Sequence, residues 1–234
     1  MDIEKGAIDI ARLRFWLSIM VDEEKPTPLP NFEYKFMRGN SLLTTFDLQY
    51  VDIKQAKQNV TITKLLDDKK KELLKKKSDF YGLSGEEKYK KEVEIKLLIV
   101  DILKLRLGFE QASVEQQDTT RQMELFAAPD MSHNSRSKKK IQEVKAAQER
   151  VQRLIEKLLE IEKQLTDESK TWEERAKTDI LFFDWGICFA EIFPQEKPEN
   201  ERGFDIVIGN PPYIRQEKLA HSYKKLLCSL YPNY

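Results

Sequence analysis

The sequence predicts an α/β fold interrupted by a long, mainly helical insertion with a coiled-coil segment. Three observations carry this expectation. Residues 204–208, Phe-Asp-Ile-Val-Ile, form a short apolar and β-branched run that suits a buried parallel strand. The stretch from about residue 50 to 178 is rich in Lys, Glu, Gln and Leu and holds only Gly82, Gly85 and Gly108 of the eight glycines. Such scarcity accompanies long helices with few tight turns. Inside it, Val144, Ala147, Val151, Leu154, Leu158, Ile161 and Leu165 keep an uninterrupted three-four spacing, a seam of about three heptads.

Taken in order, residues 1–50 form the first part of the core. Ile10, Leu13, Leu17 and Met20 recur at helical spacing, with Ile8, Phe15 and Ile19 widening the apolar face, so one helix packed on more than one side is expected. Pro26, Pro28 and Pro30 break it. Residues 32–37 then alternate aromatic and charged side chains before Arg38-Gly39-Asn40-Ser41, which reads as a short strand ending in a turn.

Residues 51–178 are the helical and coiled-coil insertion. Tyr89, Val93, Leu97 and Val100, with Ile95, Leu98, Ile102, Leu105 and Phe109, outline a helix with a broad apolar face. Residues 132–140, Ser-His-Asn-Ser-Arg-Ser-Lys-Lys-Lys, are polar, basic and without period, which predicts a mobile loop. The Arg136 to Lys140 run is the least charge-balanced part and a candidate for phosphate contact. Lys69 to Lys71 and Lys75 to Lys77 alternate with Asp67, Asp68, Glu72 and Asp79 and read as a solvated helix face. Residues 179–234 return to core character, with an aromatic segment over 182–193, the run at 204–208, and an amphipathic helix within 216–230.

Composition limits the function. Of 234 residues, forty are basic and forty acidic, which excludes a globally basic nucleic-acid binder and leaves local patches open. No apolar stretch approaches the roughly twenty residues of a membrane span, because the best one, residues 97–100, is flanked by Lys96 and Asp101. Residues 1–5 lack the features of a secretory signal, and two cysteines without metal-like spacing read as reduced thiols of a cytoplasmic protein. His133 and His221 stand apart from any carboxylate or cysteine cluster, so no metal site is expected.

The sharpest chemical signal is Asn210-Pro211-Pro212-Tyr213, directly after the run at 204–208 and Gly209. Open α/β sheets bind ligands at the carboxyl ends of their strands. Two prolines fix the backbone and remove two N–H donors, which lets the Pro211 carbonyl face a ligand. With the Asn210 amide oxygen it offers two acceptors for the two hydrogens of a planar exocyclic amine, orienting the nitrogen lone pair toward an electrophilic methyl group. Tyr213 adds a flat face on which a base extruded from a duplex stacks.

With residues 204–209 before it and Ile214-Arg215-Gln216-Glu217 after it, this tetrapeptide resembles motif IV of S-adenosylmethionine-dependent N6-adenine DNA methyltransferases. Those most similar are the large enzymes of type IIG restriction-modification systems and their phage-defence relatives. The resemblance implies a partial Rossmann-like methyltransferase fold, S-adenosyl-L-methionine as cofactor, and double-stranded DNA with a flipped adenine as substrate. Asp2-Ile3 and the following helix resemble the end of the family's second strand, with Asp2 accepting from the cofactor ribose hydroxyls. Arg38-Gly39-Asn40-Ser41-Leu42 resembles the third motif, with Asn40 contacting the cofactor adenine. Asn210, Pro211, Pro212 and Tyr213 take the catalytic positions, and residues 183–193 resemble the stretch that precedes motif IV.

The family also carries a glycine-rich loop after its first strand, which this sequence lacks, and its sheet order separates the third strand from the fourth. The chain is therefore expected to be an interior fragment of a larger methyltransferase, inactive in isolation. Its further partners would be the rest of the parent polypeptide or a second copy through the helical seam. Two alternatives remain open at this point. One is a protein glutamine N5-methyltransferase-like enzyme, since those also carry Asn-Pro-Pro-Tyr-Ile. The other is a non-catalytic coiled-coil interaction module with vestigial methyltransferase elements.

Overall fold

The computed structural model describes residues 1–22, 31–47, 49–51, 60–127, 135–194, 198, 201–209 and 216–231. They fall into two compact units, Met1–Glu191 and Ile192–Tyr234.

The first unit opens with α1 (Lys5–Asp22), followed by the two-residue strands β1 (Thr45–Phe46) and β2 (Gln49–Tyr50). Three long helices come next: α2 (Val60–Phe80), α3 (Gly85–Ala127) and α4 (Ser135–Thr166). After them stand α5 (Trp172–Ala176), β3 (Phe182–Phe183) and α6 (Trp185–Cys188). The strands form an antiparallel sheet in the order β2-β1-β3, with Thr45 opposite Phe183 and Phe46 opposite Phe182.

At 43 residues α3 is the spine, roughly 65 Å long at 1.5 Å per residue. Its buried Val93, Ile95, Ile102, Leu103 and Leu107 meet Leu73 and Phe80 of α2 and Leu154, Leu158 and Leu165 of α4. Ion pairs from Lys104 to Glu162 and from Glu110 to Arg150 run up one helix and down the other, so α3 and α4 are antiparallel. The seam read from the sequence is thereby buried inside the chain, with Val151, Leu154 and Leu158 each at 1% exposure. Helix α5 starts on a capping box, in which Thr171 accepts from the Glu174 amide and Glu174 accepts from the Thr171 amide.

Four expectations are corrected. Helix α1 exists, but its predicted core face is outward: Ile10, Leu13, Leu17 and Met20 are exposed, while Ile8 is buried. The helix packs instead through Phe15 and Trp16 on Phe32 and Phe36, with Phe15 edge-on to Phe32 at 5.2 Å. Residues 32–37 form a turn and not a strand, because the Lys35 and Phe36 amides both donate to the Phe32 carbonyl. Phe32 and Phe36 then share one side, and Tyr34 packs edge-on to Phe80 from another. The third correction concerns residues 135–140, expected in a loop, which form the first turns of α4. Propagating an existing helix adds a hydrogen bond for each residue fixed, and none of these residues is Pro or Gly.

The last correction lies in the second unit, where residues 204–209 carry no strand pairing and Ile206, Val207 and Ile208 are 78%, 82% and 92% exposed. A parallel strand gains its hydrogen bonds only from neighbours, and no sheet in the described residues of this unit supplies them. The unit is otherwise held by Phe193 edge-on to Phe204 at 5.8 Å, a one-turn 3-10 helix at Gln216–Lys218, and α7 (His221–Leu230). Among the described residues, no helix is long and apolar enough to cross a membrane.

Candidate functional site

Asp2 and Arg38 are joined by an isolated parallel bridge. The Asp2 amide donates to the Met37 carbonyl at 3.4 Å and the Gly39 amide to the Asp2 carbonyl at 2.9 Å. Arg38 Nε reinforces the pairing by donating to the Ile3 carbonyl at 2.8 Å. Two parallel segments require a crossover between them, and α1 supplies it. The local topology is a minimal segment-helix-segment unit whose two ends carry Asp2 and, two residues past the bridge, Asn40.

Both side chains are oriented by the backbone around them. Asp2 Oδ1 accepts from the Glu4 amide at 2.8 Å, just ahead of α1. A carboxylate there also suits the positive end of the helix dipole. Asn40 Oδ1 accepts from the Leu42 amide at 2.9 Å, the Asx turn by which asparagine closes a tight bend. Asn40 thus follows the residue whose amide donates to the Asp2 carbonyl. The four expected catalytic residues, Asn210, Pro211, Pro212 and Tyr213, lie outside the described residues.

Three consecutive residues that sequence reading left without a role meet the Asn40 turn. Phe183 lies so close over Gly39 that a Cβ added there would fall well inside contact distance of its ring. Asp184 accepts from Thr44 Oγ1 at 2.8 Å. Trp185 Nε1 donates to the Ser41 carbonyl at 2.9 Å. The available signal was an Asp and a Trp set in an otherwise apolar run, where a polar handle needs a partner.

Behind the turn, Met37 and Arg38 line a cavity of about 230 Å³ together with Arg12, Tyr34, Lys77 and Cys188. Arg12 Nη2 donates to the Phe36 carbonyl at 2.9 Å and to the Glu33 carbonyl at 3.2 Å, holding the 32–37 turn against α1. Lys77 Nζ donates to the Cys188 carbonyl at 2.8 Å and sits 5.4 Å from the Tyr34 ring centre. Burial pushes the Lys77 ammonium down, and burial, with Glu92 and Glu33 nearby, pushes the Tyr34 phenol well up. Among the described residues, no group of three His, Cys, Asp or Glu side chains is placed to hold a metal ion.

A family model described as Eco57I restriction-modification methylase matches residues 1–234. No curated protein and no solved structure matches the chain.

Proposed function

The chain belongs to the Eco57I restriction-modification methylase family, a family of DNA methyltransferases, and from that premise we propose that it serves transfer of a methyl group from S-adenosyl-L-methionine to the N6 amine of adenine in duplex DNA. The observation that carries the cofactor part is the parallel bridge between Asp2 and Arg38, in which the Gly39 amide, next to Asn40, donates to the Asp2 carbonyl. A carboxylate suits a pair of ribose hydroxyls, and an asparagine amide suits the mixed donor and acceptor edge of adenine. The residues present fit a nucleoside there.

S-adenosylmethionine, when bound, supplies the electrophilic methyl group. The chain's own residues do the rest. Asp2 and Asn40 bind and orient the nucleoside. The Asn210 amide oxygen and the Pro211 carbonyl accept the two hydrogens of the target amine and aim its lone pair, and Pro212 holds that backbone rigid. Tyr213 stacks on the base once it has left the duplex, offsetting roughly 1 to 3 kcal/mol of the cost of extrusion. An exocyclic amine suits those two acceptors because it offers both hydrogens outside the ring, and the choice of adenine rests on the resemblance of residues 204–213 to motif IV.

The experiment is methylome sequencing of cells expressing the whole locus, with wild type beside Asn210→Ala. Modified adenines in a fixed sequence context are expected for wild type and none for the variant, with cofactor affinity in calorimetry nearly unchanged. Retained methylation in Asn210→Ala, or a methylome modified only at cytosine, refutes the reading.

A further inference from the structure

We propose that Trp185 is a positioning residue for the cofactor: its indole N–H holds the turn that carries Asn40. This rests on the reading of Asn40 as an adenine-binding residue and deepens it by naming what fixes that residue in place.

The turn from Arg38 to Ser41 is tied down on two sides. On one, the Gly39 amide is bonded to the Asp2 carbonyl at 2.9 Å. On the other, the only hydrogen-bond donor of the Trp185 side chain is aimed at the Ser41 carbonyl at 2.9 Å. The Ser41 carbonyl shares a peptide unit with the Leu42 amide, which donates to Asn40 Oδ1 at 2.9 Å, so the bond restrains the group that orients the Asn40 side chain. Phe183 seals the same turn from above, since only a residue without Cβ fits at position 39.

Packing alone does not require tryptophan here. The Trp185 ring meets Phe183 at 5.0 Å edge-on and Phe189 at 5.5 Å, contacts that a phenylalanine ring also makes. What phenylalanine lacks is the N–H. The Ser41 carbonyl belongs to an exposed residue, so water could satisfy it, and the gain from the indole is therefore fixed geometry more than hydrogen-bond count. Positional restraint of this kind lowers the ordering cost when a ligand binds.

The test compares Trp185→Phe, Phe189→Leu and Asn40→Ala in the whole polypeptide expressed from its own locus, by calorimetry with S-adenosylmethionine and by amide hydrogen exchange. Trp185→Phe is expected to weaken cofactor binding roughly two- to tenfold, the range of one net hydrogen bond, and to speed exchange at residues 39–43 while α3 and α4 keep their protection. Phe189→Leu removes ring packing in the same cluster and leaves the N–H; it is expected to lower stability without moving cofactor affinity. Unchanged affinity in Trp185→Phe, with Asn40→Ala impaired, overturns the proposal alone. Equal weakening by Phe189→Leu also overturns it, because packing would then suffice. If Asn40→Ala leaves affinity unchanged, or wild type shows no saturable binding, the underlying cofactor reading fails and this proposal falls with it.

Discussion

Arg106 of α3 and Asp184, just ahead of α6, form an ion pair at 3.3 Å with their side chains only 4% and 8% exposed. The pair fastens the long helix α3 to the segment that clamps the Asn40 turn. Thr44 Oγ1 completes the carboxylate's surroundings at 2.8 Å, while Arg106 Nε has no hydrogen-bond partner among the described residues. Removing one member of a buried pair leaves the other charge uncompensated, which typically costs about 3 to 5 kcal/mol. Asp184→Ala is therefore expected to lose about that much in urea unfolding. The double change Arg106→Leu with Asp184→Leu should recover most of it, since an apolar replacement of a buried pair is often neutral. A loss below about 1 kcal/mol for Asp184→Ala contradicts a structural role for the pair.

Gly39 makes a second point of attachment, and the reason is steric. Its backbone lies outside the left-handed region, so alanine is conformationally tolerable, and the obstacle is Phe183 alone. Forcing a methyl group into that contact should cost about 1 to 3 kcal/mol, the usual range for overpacking. Thermal unfolding of Gly39→Ala checks this. Phe183→Leu keeps the Cβ and Cγ atoms that stand nearest the new methyl, so adding it to Gly39→Ala should not relieve the loss.

The pairing of Lys35 with Glu191 gives a signed pH dependence. Their charged atoms are 2.8 Å apart, linking the 32–37 turn to the end of the aromatic segment. Burial alone would raise the Glu191 carboxyl, but the Lys35 hydrogen bond and charge outweigh it and hold it below the usual range. For Lys35 burial acts downward, and the Glu191 hydrogen bond and charge outweigh it and raise the ammonium. A depressed carboxyl contributes stability above its unfolded value and loses it as pH falls through the folded value. A raised lysine contributes below its unfolded value and loses it as pH rises through the folded one. The contribution therefore spans the plateau between the acidic and the basic limits. Because each shift rests on the other partner, Glu191→Gln and Lys35→Met should each flatten both limbs of the stability profile measured by urea titration across pH. With Lys35 at 44% exposure the amplitude should shrink in high salt.

The long helices are legible because their signal is local. Three-four spacing and missing glycines are properties of one segment, and α3 and α4 follow them. The candidate site is legible only through motifs, and the parallel bridge of Asp2 with Arg38 is a tertiary link that no motif carries. What stayed hidden was tertiary. The α1 face of Ile10, Leu13, Leu17 and Met20 has helical periodicity whether or not anything covers it, so period reports the helix and not its burial. The alternation over residues 32–37 suits a strand, but Phe32 and Phe36 also share a face in a turn, and contact with Phe15 selects the turn. The links from Phe183, Asp184 and Trp185 to residues 39–44 span about 140 positions, beyond the reach of any periodicity.

The two cysteines differ in a way that alkylation can read directly. Cys188 is buried, and burial pushes its thiol up to about 11, against the opposing pull of the Lys77 charge. Cys228, in α7, is exposed. Only the thiolate attacks an alkylating reagent. At pH 8 Cys188 would be about one part in a thousand thiolate by its ionisation alone, and closure of the core around it restricts reagent access further. Iodoacetamide at pH 8 is thus expected to label Cys228 and spare Cys188 in the native chain, with both labelled in urea, as read by mass spectrometry of the peptides. Lys77→Met removes the charge that favours the Cys188 thiolate most strongly, so it should not increase native labelling unless the core opens. Labelling of Cys188 at the rate of Cys228 without denaturant would contradict the burial of α6 against α2 and the cavity behind the Asn40 turn.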